Sequence, residues 1–148
     1  MAEPSIRPAR QEDFPAIRSL IHAVGINPMS LDWRRFLIAV DEQGALLGCG
    51  QIKPHGDGTR ELASIAVQEW ARSRGIARAL IEALLDRERR RPLYLMCRAR
   101  LETLYVRFGF QPVDPAEMPP YFRRISRMAS LFNSKAPTED QLSVMRLD

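Results

Sequence analysis

Apolar residues recur along the first half of the chain with two different spacings. Between residues 11 and 24 they return every three or four positions, which is typical of a buried helix face, and Gly25 supplies the stop. The other apolar stretches are short and are bounded by turn-forming residues, which is typical of strands. Ser30 is predicted to cap a short helix through Trp33 and Arg34. The strands predicted in this half are residues 6–8, 36–40, 46–53 and 60–67.

The second half of the chain contains a second amphipathic helix and several shorter elements. Ile76, Leu80, Ala83 and Leu84 share one face of a helix that is predicted to run from residue 76 to about residue 90, because Pro92 prevents its continuation. The other predicted elements are a strand at 93–97, a helix at 102–108, a strand at 110–113, a helix at 119–133 and a strand at 142–147.

The order of these elements, β-α-α-β-β-β-α-β-α-β-α-β, predicts an α/β chain of the α+β type. Hairpins come first and a βαβ unit lies in the middle, so we expect a mixed, mostly antiparallel central sheet flanked by helices. A chain of 148 residues is long enough for one core and short for two ordinary domains. We therefore predict a single domain over residues 1–148.

Composition excludes several classes of protein. The apolar fraction of 45% is that of a globular chain. No apolar run is long enough to cross a membrane, and the start of the sequence has no secretory signal pattern, so we expect a cytoplasmic protein without a membrane partner. Cys49 and Cys97 are isolated and read as buried thiols, and His22 and His55 lack metal-ligand spacing. We predict no metal site and assign no role to either histidine.

The chain is basic, with a formal net charge of +4 and a pI of about 9.6. Such a balance fits nucleic acid, an anionic cofactor or an acidic acceptor. The arginine clusters at residues 87–91 and 123–127 lack the pattern of a known nucleic-acid module, so we interpret them as solvated faces. A basic nucleic-acid-binding domain therefore remains the less favoured alternative.

The segment Arg72-Ser73-Arg74-Gly75-Ile76-Ala77 lies between a predicted strand and a predicted helix. A helix start exposes unpaired backbone N–H groups and a partial positive charge. A glycine at this point removes the Cβ atom that would keep an anion away from those donors. Strand, glycine turn and helix start together predict a site for a phosphate or a pyrophosphate.

The pattern Arg72-x-x-Gly75-x-Ala77 resembles the acetyl-coenzyme-A signature of the GCN5-related N-acetyltransferases (the GNAT family). The strand that begins at Glu61 precedes it at the family's spacing, and Tyr105-Val106-Arg107-Phe108-Gly109-Phe110 is similar to the family's Tyr-x-x-x-Gly-Phe. The order of elements also resembles the family's fold over nearly the whole chain.

This resemblance implies acetyl-CoA as the co-substrate. Backbone N–H groups from Arg72 to Arg78 would hold the pyrophosphate, and backbone groups of Ile65 and Val67 would pair with the pantetheine arm. Arginine side chains in the turn would add charge-assisted contacts. The implied coenzyme-binding residues are Ile65, Ala66, Val67, Arg72, Arg74, Gly75, Ile76, Ala77 and Arg78.

Two residues are candidates for the chemistry. Forming an amide from a thioester expels a thiolate, and Tyr105 matches the family's tyrosine, which supplies a proton to it. The attacking amine must be neutral, so a base has to take its proton, and Glu61 stands near the position where the family frequently places a carboxylate. Two alternatives stay open for Glu61: a catalytic base, or a solvated residue paired with Arg60 or another arginine.

The acceptor is less clearly marked. Residues 25–33 correspond to the loop that lines the acceptor pocket in family members, and the segment Arg98-Ala99-Arg100, which replaces the family's frequent asparagine, resembles the branch that acetylates amino acids. Arginines can hold a carboxylate with two hydrogen bonds. The candidates are Arg34, Arg35, Arg98, Arg100, Arg123 and Arg124, with Trp33 as a candidate pocket wall.

The sequence thus predicts an N-acetyltransferase that moves the acetyl group of acetyl-CoA to a primary amine of a small acceptor, such as an amino acid. The amine would attack directly in a ternary complex. The alternative is a non-catalytic CoA-binding module, a sensor or regulatory domain on the same fold. A homodimer contact through helix 119–133 and the last strand is a further expectation.

Overall fold

The computed structural model of the protein describes residues 3–132 and 135–148. The chain divides into two compact units. The first comprises Met1–Ile52 and Leu62–Arg89, and the second comprises Lys53–Glu61 and Arg90–Asp148. The single domain expected over residues 1–148 stays a prediction.

Within the described residues, seven strands and four α-helices follow one another in nearly the predicted order. The strands are β1 (Ser5–Pro8), β2 (Phe36–Val40), β3 (Leu46–Pro54), β4 (Arg60–Val67), β5 (Leu93–Arg98), β6 (Gln111–Pro112) and β7 (Leu142–Leu147). The helices are α1 (Phe14–Val24), α2 (Ile76–Arg87), α3 (Glu102–Val106) and α4 (Pro120–Phe132). This arrangement of mostly antiparallel strands and flanking helices confirms the predicted α/β fold class.

In the first unit the strands lie in the order β1-β2-β3-β4, and β1 and β3 both pair antiparallel with β2. Every residue of β2 is buried, as expected for a strand covered on both faces. Helix α1 ends as predicted at Gly25, which adopts the left-handed conformation (φ 81°) and donates its N–H to Ile21 and His22. One core cluster joins α1 to the strands: Ala9, Ile17, Leu20, Ile21, Phe36, Ile38, Val40, Cys49 and Ala66.

Two glycines of β3 let α2 and β4 approach closely. A Cβ atom on Gly48 would lie 2.9 Å from the backbone oxygen of Ala66 and 3.0 Å from Ile76 Cγ2. A Cβ atom on Gly50 would lie 2.6 Å from Ile65 Cδ1 and 2.9 Å from Leu84 Cδ1. A larger residue at either position would push these neighbours away, so the two glycines allow α2 and β4 to lie close to β3.

In the second unit the strands lie in the order β5-β7-β6, all antiparallel. Helix α4 packs on β7. The hydrophobic core cluster of this unit contains Tyr94, Val113, Met118, Phe122 and Val144.

Several predicted boundaries are wrong. The cap of the short 3₁₀ helix Trp33–Arg35 is Asp32, whose side chain accepts from the Arg34 N–H, whereas Ser30 has a left-handed backbone (φ 56°) that is incompatible with an N-cap. Helix α2 ends at Arg87, where Glu88 leaves the helical region. Helix α3 ends early because Phe108 N–H turns back to the Tyr105 carbonyl.

Two further points concern the ends of elements, and a third concerns the length and polarity of the helices. Strand β6 covers only two of the residues expected between 110 and 113. The predicted C-terminal residue of the last helix, Asn133, lies outside the described residues. Over the part of the chain that the structure describes, no helix is both long and apolar enough to cross a membrane.

Candidate active site

The glycine turn adopts an unusual backbone at the start of α2. Gly75 is left-handed (φ 76°, ψ 15°) and is the N-cap of the 12-residue helix, and Ser73 is also left-handed (φ 67°). No side chain caps the helix at Gly75, so the first-turn N–H groups keep the orphan character of a helix start. A Cβ atom on Gly75 would meet nothing within 4 Å. The turn therefore presents donors and a partial positive charge toward open space, as an anion site requires.

The side chains of the turn divide into exposed and buried members. Arg72, Arg74 and Arg78 are exposed, and Arg78 also pairs with Glu82 on the next turn of α2 at 2.9 Å. Ile76 is 2% exposed and anchors the helix in the core. The backbone N–H groups and the arginine side chains of the turn can therefore contact a ligand, whereas its apolar side chains cannot.

A cavity of about 680 Å³ adjoins the turn, but three of its lining residues are acidic. Carboxylates repel a phosphate, and Arg74 alone does not offset them. The open side of the turn therefore suits an anion better than this cavity does. The lining residues are Glu3, Pro4, Asp41, Glu42, Gln43, Leu47, Arg74 and Ile76.

Strand β4 carries a backbone irregularity that sequence reasoning missed. Ser64 has φ 60°, a left-handed conformation that costs a residue other than glycine about 1–2 kcal/mol. Gln51, which is fully buried, holds it by donating Nε2–H to Ser64 Oγ at 2.8 Å, while Gln51 Oε1 has no partner in the described residues. A strained residue beside a buried unpaired acceptor is a feature that concentrates at functional sites.

The three coenzyme candidates of β4 follow directly after this irregularity. Ala66 is 2% exposed, and Ile65 and Val67 are half-buried. With the turn before α2, they belong to the first unit. The pairing of their backbone with the pantetheine arm stays a prediction.

Tyr105 lies in the last turn of α3, in the second unit, and is 9% exposed. Its ring meets the edge of Phe110 at a centroid distance of 6.2 Å, and its carbonyl accepts from the Phe108 and Phe110 N–H groups. Burial, helped by the Cys97 thiol, raises the pKa of Tyr105 to about 12. The phenol therefore stays protonated at neutral pH, which suits a proton donor and not a base.

Glu61 is not the solvated residue of the alternative interpretation. It is 5% exposed, and its Oε1 atom lies 2.7 Å from Nε2 of His55. Both side chains are 7% exposed, and both residues belong to the second unit. The structure thus pairs the candidate base with a histidine to which the sequence had assigned no role.

Helix α4 completes this cluster. The His55 ring stacks on Tyr121 (centroids 3.6 Å apart, 17° between planes) and meets the edge of Phe122. Asp57 Oδ2 accepts from the Tyr121 N–H at 3.1 Å, which ties the turn to the helix. Burial, followed by the Glu61 carboxylate, raises the pKa of Tyr121. The hydrogen bond between His55 and Glu61, and the two aromatic rings that contact His55, can be recognised only in the three-dimensional structure.

Three of the six candidate arginines on the acceptor side already have partners. Arg34 pairs with Asp32 at 3.0 Å, Arg100 with Asp140, and Arg123 donates to the Met118 carbonyl at 2.8 Å. A cavity of about 480 Å³ does lie at the loop predicted to bind the acceptor. Its lining residues are Phe14, Ser30, Leu31, Asp32, Trp33, Arg34 and Arg35.

The two cysteines are buried, as predicted, and burial raises the pKa of Cys49 to about 12 and that of Cys97 to about 11. Among the described residues, no group of three His, Cys, Asp or Glu side chains is arranged to hold a metal ion.

Comparison with known proteins identifies relatives of this fold. Residues 32–112 match the model of the acetyltransferase (GNAT) domain. No curated protein matches the chain significantly. The fold is similar to that of N-acetylglutamate synthase from Neisseria gonorrhoeae complexed with coenzyme A and N-acetyl-glutamate, with 24% identity and a TM-score of 0.73. That match covers 100% of this chain and 36% of the Neisseria chain, so the chain spans about a third of that enzyme.

Two further solved structures match over nearly their full length. Rv2747 from Mycobacterium tuberculosis, in complex with CoA, has 22% identity and a TM-score of 0.72, over 97% of this chain and 98% of its own. ElaA from Escherichia coli has 16% identity and a TM-score of 0.68, over 98% and 99% of the two chains. At these identities the likeness shows the fold.

Proposed function

The chain belongs to the GNAT acetyltransferase family, and we propose that it moves the acetyl group of acetyl-CoA to a primary amine of a small acceptor. The amine attacks the thioester directly in a ternary complex, so that most of the rate comes from holding the two substrates in line. No metal ion takes part in this proposal.

The observation that carries the proposal is the backbone of the turn before α2. Its uncapped N–H groups face open space beside three exposed arginines, and this combination fits the diphosphate of a CoA molecule. The proposed coenzyme contacts are those of Ile65, Ala66 and Val67 on β4 and of residues 72–78 in the turn. Arg78 contributes less than Arg74 in this proposal because Glu82 already pairs with it.

Tyr105 is proposed to give its proton to the departing thiolate. Its buried phenol keeps its proton at neutral pH, so that proton is available for transfer to the thiolate. Glu61 is proposed to take part in removing a proton from the acceptor amine, either as the base itself or through His55. Its burial beside His55 supports this role over that of a surface ion pair.

An amino acid is the proposed class of acceptor. The Neisseria enzyme with the same fold is complexed with N-acetyl-glutamate in one structure and with L-arginine in another. The cavity beside Trp33 has the size for such a ligand, and Arg35 is the lining arginine without the Asp32 side-chain contact that Arg34 makes. A guanidinium there suits the carboxylate of an amino acid.

Three further proposals follow from the sequence. We propose a cytoplasmic location, no nucleic-acid partner, and a homodimer that uses α4 and β7. Exposed apolar side chains at Met128, Leu131 and Phe132 of α4 support a contact there. Light scattering of the purified protein tests the dimer, and salt-dependent binding to duplex DNA would favour the nucleic-acid alternative.

A non-catalytic CoA-binding module is the second candidate. It needs the turn before α2 but neither Tyr105 nor Glu61, and the burial of both polar side chains argues against it, since burying them without a use is costly.

The deciding experiment is thiol release from acetyl-CoA with a panel of amines, such as L-glutamate, L-glutamine, L-lysine and spermidine. We expect release that depends on one of the amines, with the acetylated product seen by mass spectrometry. CoA binding without release by any amine would leave the non-catalytic module as the better account.

A further inference from the structure

We infer that His55 is the residue that takes the proton from the acceptor amine, and that Glu61 is the positioning residue that orients it. This inference rests on the proposed acetyl transfer and assigns its base. It starts from the hydrogen bond of 2.7 Å between Nε2 of His55 and Oε1 of Glu61.

The hydrogen bond engages Oε1 of Glu61, one of the two oxygens through which a carboxylate base could act directly. Both side chains are 7% exposed, so exposure does not distinguish them, and the assignment rests on which ring nitrogen the pair engages. If the Nε2–H group donates the hydrogen bond to Glu61, the lone pair of the neutral imidazole lies on Nδ1. The hydrogen bond and the ion pair described for His55 both use Nε2, so Nδ1 is the nitrogen that we assign to the acceptor amine.

The surroundings hold the imidazole in one plane. Tyr121 stacks on it at 3.6 Å, and Phe122 meets it edge-on at 5.6 Å. The ring thus has contacts on its face and edge, together with one hydrogen bond in its plane. A base fixed in this way loses little entropy when a substrate arrives.

Charged and titratable groups face the ring from three elements. Glu61 lies on β4, Asp57 lies in the turn after β3, and α4 brings Tyr121 with Arg124 near its phenol. The negative charges of Glu61 and Asp57 can balance a positive charge on the ring. The pair can therefore accept a proton and keep the resulting charge balanced.

The step balances without any further reagent. The N–H bond of the substrate ammonium breaks, a new N–H bond forms on Nδ1, and the freed electron pair of the amine attacks the thioester carbonyl. Glu61 stabilises the imidazolium through the existing hydrogen bond. When the tetrahedral adduct collapses, the C–S bond breaks and Tyr105 gives its proton to the leaving thiolate. The second proton lost by the amine nitrogen restores the Tyr105 phenol through solvent, and the imidazolium releases its proton to water.

The chain provides a matched control, because its only other histidine, His22, is exposed on α1. The test compares His55→Gln, Glu61→Gln and His22→Gln with the wild type, using the most active amine of the panel. His55→Gln should lower kcat/KM for the amine by about 10²- to 10³-fold at neutral pH, with an unchanged KM for acetyl-CoA. Glu61→Gln should lower it by about 10- to 100-fold, and His22→Gln should leave it unchanged.

The pH profile separates a base from a structural contact. The wild type should show a plateau below the pKa of the amine, because His55 removes the proton. In His55→Gln, kcat/KM should instead rise about tenfold per pH unit until the amine is neutral on its own.

Two outcomes overturn the inference and leave the proposed function in place. A His55→Gln protein with the wild-type plateau would do so whatever its unfolding temperature, since it would reduce the pair to a structural contact. Nitrogen-15 NMR of the imidazole in His22→Gln, which retains a single histidine, should show a proton on Nε2 and none on Nδ1 in the neutral form, and the reverse would also overturn it. A wild type that transfers acetyl to no amine would instead overturn the proposed function together with this inference.

Discussion

The turn before α2 and the polar cluster of the second unit present functional groups in opposite ways. The turn is exposed, takes its donors from the main chain and surrounds them with arginine side chains. Tyr105, His55 and Glu61 are buried, and each depends on neighbours that fix its protonation or its orientation. The first arrangement suits binding of a charged group, and the second suits proton transfer. Variants in the two regions should therefore separate binding from turnover.

The largest effect is expected from Tyr105→Phe. Loss of the phenolic proton should lower kcat by about 10²- to 10³-fold and leave CoA affinity unchanged. Steady-state kinetics with calorimetry of CoA binding measures both. Tyr94→Phe is the control, since Tyr94 is also buried in the second unit but stacks on Phe122 in the core. Wild-type turnover in Tyr105→Phe would remove the phenol from the mechanism.

The next effect is expected from Gly75→Ala. Alanine in the left-handed conformation costs about 1–2 kcal/mol, and the turn must shift to relieve the strain. CoA affinity should fall about tenfold, which corresponds to 1.4 kcal/mol, while kcat at saturating CoA stays near that of the wild type. Gly25→Ala is the matched control, because Gly25 has a similar φ (81°) and equally open surroundings at the end of α1.

Both glycine variants should lose similar stability in urea, and only Gly75→Ala should lose CoA affinity. Equal CoA affinities in the two variants would mean that the turn is an ordinary connection.

A smaller effect is expected from Arg74→Gln. Removing one charge-assisted contact should weaken CoA binding by about three- to tenfold, and the loss should shrink at high salt because exposed charges are screened. Arg89→Gln, at the other end of α2 and paired with Asp86, should bind CoA like the wild type. If both variants weaken binding equally, the effect belongs to net charge and not to the turn.

The smallest signal is a spectroscopic one. Because the pKa of Tyr105 is raised to about 12, the difference in tyrosinate absorbance between the wild type and Tyr105→Phe should develop near pH 12 and not near pH 10. Between these values the folded protein keeps a proton that the unfolded chain loses, so stability falls as pH rises. A difference in absorbance that develops near pH 10 would mean that the Tyr105 phenol is exposed to solvent.

The two regions also differ in how far the sequence predicted them. The turn before α2 is contiguous, so Gly75 and its arginines could be identified from spacing alone. Tyr105 could be identified because, together with Gly109-Phe110, it resembles the family's Tyr-x-x-x-Gly-Phe motif. Its burial and raised pKa could not, because they depend on packing.

The partner of Glu61 was beyond sequence reasoning. His55 meets Glu61 because β3 and β4 form a hairpin, and it is fixed by Tyr121 and Phe122 from a helix far along the chain. Ser64 gave no signal either, since nothing in the composition of a strand marks a serine as left-handed. Local chemistry was predictable, whereas contacts between distant elements required the fold.

The most direct test of the account is calorimetric titration of the wild-type protein with CoA and, separately, with pantetheine, which lacks the diphosphate and the phosphoadenosine attached to it. If main-chain amides at the start of α2 hold the diphosphate, CoA should release heat and bind at least about 100-fold more tightly than pantetheine. Absence of heat with CoA, or equal affinity for the two molecules, would contradict the account.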